Sequence, residues 1–252
     1  MNYHWHWQVL LETEPGGTGT YLHYLIVGLG WTLATALAAW VMALAIGAIV
    51  GTLRTTPLKW VVRLGDLYVE IFRNVPLIVQ MFLWFFVLPE LMPKGLGDWM
   101  KQMPPPWGSY VPAVVCLGIF TSVRVAEQVR AGINSLPSGQ RMAGIATGLS
   151  EAQTYRYVIL PQSFRIILPP LTSEFMNVIK NSSVALTIGL LELTGRARSM
   201  QEFSFRVFEA FTAATVIYLL TNLVVVLAMR ALERKVRVPG LIAVGDAPQA
   251  GH

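Results

Sequence analysis

The chain has 252 residues, of which 54% are hydrophobic and only 13% charged, with a net charge of +5. A water-soluble domain of this size carries charge on roughly a quarter of its residues, so these proportions exclude one and set lipid against most of the surface. The positive balance does not point to nucleic acid, because the excess lies in short loops flanking apolar segments rather than in one basic patch.

Residues 1–20 open with Tyr3, Trp5 and Trp7 beside His4 and His6, and read as an external interfacial segment. A secretory signal is not expected. Glu12 and Glu14, not a basic cluster, precede the first apolar run, and that run is too long for a cleaved core. The His-x-His pair has no further ligand nearby in sequence, so packing is expected there and no metal. Residues 21–240 read as one transmembrane domain. Segments 23–51, 109–131, 166–190 and 207–230 are long and apolar enough to cross a hydrocarbon layer of about 30 Å. A fifth span, 70–89, carries Arg73 and Pro76 near its start and then runs apolar; membrane helices tolerate such a proline when neighbours satisfy the freed carbonyl. The expected fold is therefore an all-α integral membrane protein with about five spans. Gly28 and Gly30 form a bare G-x-G in the first span, read as close helix packing. Cys116 has no partner for a disulfide and reads as a small apolar filler. Residues 241–252 read as a disordered cytoplasmic tail.

Between the third and fourth spans lies a polar insert, 138–165. Ser138 is expected to cap a first short helix, and Gly148 to supply its left-handed stop. Ser150 and Gln153 have capping-box spacing for a second helix, which Pro161 is expected to end. Arg54, Lys59, Arg63, Arg130, Arg141, Arg156, Arg165, Arg230, Arg234, Lys235 and Arg237 fall on one side of the spans. Lys94, Lys101, Arg196, Arg198 and Arg206 fall on the other. That asymmetry puts the insert and the C-terminus in the cytoplasm and the N-terminus outside.

Motifs for chemistry are missing. The chain has no G-x-x-x-x-G-K-[ST], no H-E-x-x-H, no G-x-S-x-G and no Cys/His cluster. It is expected to move a solute rather than transform one.

Three blocks carry a resemblance. Gly139-Gln140-Arg141-Met142-Ala143-Gly144, Gly148-Leu149-Ser150 and Val158-Ile159-Leu160-Pro161 resemble the EAA loop of ABC-importer permeases. Glu70 through Leu77 resembles the "fRgtPl" block of the polar amino-acid branch, and Asn177 through Leu193 its "N…KNtsl…EL" segment. Within that branch the chain is most similar to glutamate and aspartate permeases. The resemblance implies a type I importer fold and a cytoplasmic coupling loop that docks on a separate ATPase dimer. It also implies a second permease subunit, heteromeric or otherwise identical, and an external amino-acid-binding protein. This chain would bind no cofactor; ATP and Mg would be used by the partner ATPase. Gly139, Gln140, Arg141, Met142, Ala143, Gly144, Gly148 and Glu151 are the coupling candidates. The family's Glu is Met142 here, so an acidic contact must come from Glu151, from the second permease, or not at all.

Intramembrane charge marks the substrate path. Thr121, Arg124 and Gln128 share a helical face in the third span; Asn177, Lys180, Asn181 and Ser182 lie in the fourth. Two cations on a path suit a substrate with an extra carboxylate. Arg124 could equally pair with Glu174 or Glu127 and simply join helices. Glutamine and basic amino acids remain alternative substrates. A secondary transporter would show two related halves, and a scaffold would need neither Arg124 nor Lys180.

Overall fold

The computed structural model describes residues 3–17 and 19–236, and these are helical apart from turns and one isolated bridge between Thr13 and Thr20. The first long helix, α1 (Tyr21–Leu53), is capped by the Thr20 hydroxyl, which accepts from the His23 N–H at 3.3 Å. Its buried stripe is Gly28, Thr32, Ala36, Ala39, Ala43, Gly47 and Gly51, while Leu37, Val41 and Ile49 are exposed. Small residues inside and large ones outside reverse the order of a water-soluble helix. The pattern follows from lipid, which gives helices no hydrophobic reason to associate and rewards close backbone approach instead.

Helix α6 (Trp107–Asn134) lies along that stripe. A Cβ on Gly47 would stand 2.5 Å from the Val125 Cβ, and one on Gly51 would stand 2.6 Å from the Ala126 carbonyl oxygen. Gly28 is closed off in the same way by Leu193, with 3.0 Å to its Cα, whereas Gly30 faces open space. Close packing therefore explains only the first glycine of the G-x-G. Gly47→Val is expected to drive α1 and α6 apart and destabilise the fold by about 1–3 kcal/mol. Thermal unfolding of the detergent-purified protein measures this.

Between α1 and α6 come α2 (Lys59–Asn74), α3 (Leu77–Phe82), α4 (Leu88–Leu91) and α5 (Lys94–Lys101). The 70–89 span does not run unbroken. Helix α2 stops at Asn74, and the chain turns through 99° before the stretch Leu77–Leu91. Pro76 disfavours helical backbone at Val75, which is extended at φ −98° and ψ 127°. The Gln80 amide then seals the corner by donating to the carbonyls of Phe72 (2.8 Å) and Val75 (2.9 Å), which α2 leaves free.

The polar insert holds α7 (Ser138–Ala146) and α8 (Glu151–Thr154). Ser138 is the first residue of α7 rather than its cap; Pro137 holds the cap position and no side chain bonds there. Gly148 has φ +86°, with its own N–H on the Ile145 carbonyl and the Leu149 N–H on that of Gly144, a Schellman stop. The Ser150–Gln153 capping box forms in both directions. Pro161 does not end the second helix. A π-turn over Tyr155–Ile159 carries α8 straight into α9 (Leu160–Asn181), and the Leu160 N–H reaches back to the Tyr155 carbonyl. The wider turn moves aside the carbonyls that the proline ring would strike. Pro89 follows the π-turn Leu83–Val87 in the same relation.

A 3-10 turn (Ser182–Ile188) leads to α10 (Leu193–Ser204) and α11 (Val207–Val236). Helices α1, α6 and α11 are each long and apolar enough to cross a membrane, and the bent pair α2 with Leu77–Leu91 passes the same test taken together. Helix α9 packs on α6, α11 and α1 but carries Glu174 and Lys180, which lower its apolar character. The N-terminal segment is held on α11, where Glu209 accepts from the Tyr3 hydroxyl and from the His6 N–H at 2.7 Å. Trp5 and Trp7 stack at 5.1 Å and stay exposed. The tail 241–252 lies outside the described residues.

Candidate transport path and coupling site

At the end of the bundle nearest the insert, α1, α2 and α6 meet on a charged node. Arg54 closes α1 with its side chain only 5% exposed, and it donates to Asp66 and to Glu127, each at 2.7 Å. Arg130 adds a 3.2 Å contact to the same Asp66 oxygen. Burial draws the Arg54 guanidinium down, but the two carboxylates outweigh it and hold it above its ordinary value. From sequence Arg54 reads only as a loop cation, and Glu127 as a possible partner of Arg124; their pairing with each other needed the fold. The Tyr155 hydroxyl donates to the Thr55 carbonyl at 3.0 Å, joining the π-turn of the insert to the residue beside Arg54.

Further into the bundle, Arg124 is partly exposed, lies 5.2 Å from the Phe120 ring, and approaches Glu174 of α9 at 3.7 Å. Gln128, one turn on, is half-buried, while Thr121 is only 2% exposed and turned into helix packing. On α9, Asn177 and Asn181 are half-buried and Lys180 is exposed, with no ion pair to it among the described residues. The Ser182 hydroxyl is buried and spent on the Ile179 carbonyl at 2.8 Å. The structure thus leaves Arg124 and Lys180 exposed and Gln128, Asn177 and Asn181 half-buried on neighbouring helices, keeps Glu174 mostly covered, and withdraws Thr121 and Ser182. Charges exposed on membrane helices do not face lipid at tolerable cost; they face a water-filled path or another chain.

In the insert, Arg141 bonds Glu151 at 2.6 Å, and Gly144 packs on Thr154, where a Cβ would stand 2.7 Å from Cγ2. Gly139, Gln140, Met142, Ala143 and Gly148 face outward, with Met142 62% exposed.

Glu192 is a second node, at the opposite end of the bundle. It is fully buried and caps α10, accepting from the N–H groups of Thr194 (3.0 Å) and Gly195 (2.8 Å). The hydroxyls of Tyr218 (2.8 Å) and Thr32 (3.2 Å) complete its shell, so α1, α10 and α11 meet on one carboxylate. Burial pushes that carboxyl above the ordinary range, against the pull of its donors. A cavity of about 750 Å³ opens near this end between Trp31, Phe85, Phe86, Met100 and Leu191. Its charges are engaged already, Lys101 with Glu90 at 2.6 Å and Arg196 over the Tyr24 ring at 4.2 Å, and no path candidate lines it.

A helical bundle with small-residue contacts, large apolar residues outside and charges exposed on its helices is the build of a polytopic membrane protein. The chain belongs to the binding-protein-dependent transport system inner membrane component family, whose model matches residues 43–238. It is 46% identical over 241 residues to the glutamate/aspartate import permease protein GltJ of Escherichia coli K12, covering 95% of this chain and 98% of that one. The glutamine transport system permease protein GlnP of Escherichia coli K12 is 33% identical over 85% of this chain and 93% of its own length. Among solved structures, a crystal structure of an amino acid ABC transporter with histidines matches at a TM-score of 0.72 and 30% identity, over 85% of this chain and 95% of that one. An inward-facing MetNI methionine ABC transporter matches at 0.72 and 20% identity, over 90% and 100%, and attests the fold alone. The chain is a non-catalytic transport subunit with the type I ABC importer permease fold.

Proposed function

We propose that the chain is the permease subunit of an ATP-driven importer of glutamate and aspartate in a bacterial inner membrane. The observation that carries the substrate class is the pair of exposed cations, Arg124 and Lys180, on membrane helices of a chain similar to a glutamate/aspartate permease over nearly its whole length. An external binding protein delivers the amino acid to the outer face, where the N-terminus lies. An ATPase dimer in the cytoplasm holds ATP and Mg and moves the insert, and a related second permease completes the path. A complementation assay decides this. Cells lacking the chain receive either the intact chain or Arg124→Ala, and uptake of labelled glutamate, aspartate, glutamine and arginine is followed. Restoration of the acidic pair by the intact chain only, with the variant still assembled, is the expected result. Restoration of arginine or glutamine instead overturns the substrate class.

The insert docks through apolar contact. Glu151 is engaged by Arg141, and α7 offers Met142 and Ile145, 62% and 45% exposed, one turn apart. Met142→Asp is expected to weaken retention of the ATPase on the purified complex roughly tenfold, from the apolar burial it removes. Co-elution at graded ATPase concentrations measures it.

A further inference from the structure

The cavity near the Glu192 end holds a cation that the protein leaves without a countercharge. Lys101, Glu90 and Arg196 are the charged residues lining it. Lys101 and Glu90 neutralise one another at 2.6 Å. Arg196 is half-buried and has no ion pair among the described residues. Its Nε donates to the Leu191 carbonyl at 3.2 Å, and the Tyr24 ring covers one face of the guanidinium without balancing its charge. The two terminal nitrogens donate to nothing among the described residues. The side chain is nonetheless held in place. Its stem lies over Gly28, where a Cβ would stand 2.8 Å from the Arg196 Cδ, so α1 is hollowed at that point to admit it. Arg54, by contrast, meets two carboxylates at 2.7 Å.

The rest of the wall is mainly apolar. Trp31, Phe85, Met100, Met103 and Leu190 line it, and the Ser109 hydroxyl there is spent on the Ile188 carbonyl at 2.7 Å. Phe86 and Leu191 line it as well and are exposed, so the cavity opens on the surface of the bundle. Leu83, Phe86 and Val87 continue that surface as an exposed apolar flank. Trp99 and Trp107, next in sequence to the lining residues Met100 and Gly108, are exposed, as tryptophans are where lipid meets water. At about 750 Å³ the cavity is of the size that holds a small organic molecule or part of a larger one. One unbalanced positive charge over apolar walls suits a singly charged anion with a hydrocarbon tail. A soluble anion would leave the aromatic wall unused, and a lipid without net charge would leave the cation unbalanced.

We infer that this cavity binds an anionic phospholipid, with the phosphodiester on the terminal nitrogens of Arg196 and part of one acyl chain against Trp31, Phe85 and Met100. Arginine offers paired N–H donors that match two phosphate oxygens. No transport-path candidate lines the cavity, so the inference stands whichever solute is imported.

Trp31 supplies the reporter, because bromine on an acyl chain quenches tryptophan fluorescence on contact. The purified permease–ATPase complex in phosphatidylcholine vesicles is titrated with phosphatidylglycerol or with phosphatidylcholine, each brominated on its chains. The Trp31 signal is the difference between the intact complex and Trp31→Phe. In the intact complex it is expected to be half-quenched at about a tenfold lower mole fraction of phosphatidylglycerol than of phosphatidylcholine, the worth of a charged hydrogen bond. Arg196→Gln is expected to abolish that preference. Arg196→Lys, which keeps the charge and loses the fork, is expected to keep only part of it and serves if the amide variant does not assemble. Glycerophosphoglycerol, the headgroup without chains, is expected not to relieve the quenching. Equal quenching by the two lipids in the intact complex overturns the inference, as does a preference undiminished in either variant. Quenching by neither lipid assigns the cavity to a protein segment, relief by glycerophosphoglycerol assigns it to a free anion, and each of these overturns the inference too.

Discussion

Replacing Arg54 by methionine is expected to destabilise the protein by about 1–3 kcal/mol, because it leaves Glu127 without its ion-pair partner and Asp66 with Arg130 alone. The deep-burial figure for a broken pair is larger. Here the two acids are 38% and 39% exposed, and solvent screens part of the loss. Arg54→Lys does not rescue it, since an ammonium cannot span two carboxylates as a planar fork does. Arg54→Met combined with Glu127→Gln regains stability relative to the single variant, and thermal unfolding of the four proteins in one detergent closes that cycle. If the two losses simply add, Arg54 and Glu127 are not coupled. The same variant is expected to reduce uptake, because the Tyr155 contact to Thr55 stands next to the lost side chain.

At the other end, Glu192→Ala is expected to cost about 3 kcal/mol or more. It removes the cap of α10 and leaves up to four buried donors, the Thr194 and Gly195 N–H groups and the Thr32 and Tyr218 hydroxyls, short of an acceptor. Glu192→Gln helps little, because its amide nitrogen presents hydrogens to donors. A fall of roughly 10 °C in the unfolding temperature checks the first substitution. Tyr218→Phe, which removes a single donor, is expected to shift it far less.

What could be read from the chain was local. The stop at Gly148 and the box at Ser150 and Gln153 are set by residues within one turn, and both formed. Three long spans, α1, α6 and α11, follow from apolar length alone, whereas the span expected over 166–190 ends at Asn181 and its helix is not apolar enough to pass the same test. The remainder depended on partners distant in sequence or on hydrogen-bond patterns without a composition signal. Arg54 lies 12 and 73 positions from its acids, and Glu192 lies 160 from Thr32. Pro76 reads as a tolerated kink until Gln80 is seen to reach back across it. Pro161 reads as a stop because nothing in composition announces the π-turn that absorbs it. Ser138 was one residue late for its cap.

The run from Glu151 through the π-turn to Asn181 is helical throughout, Pro169 and Pro170 included, roughly 45 Å at 1.5 Å per residue, with the insert at one end and Glu174 and Lys180 near the other. Had Pro161 ended the second helix, a hinge would lie between them and a push on the insert would be lost in slack. As built, backbone hydrogen bonds run from the insert into the bundle, so a displacement of one is carried to the other with no loop between them.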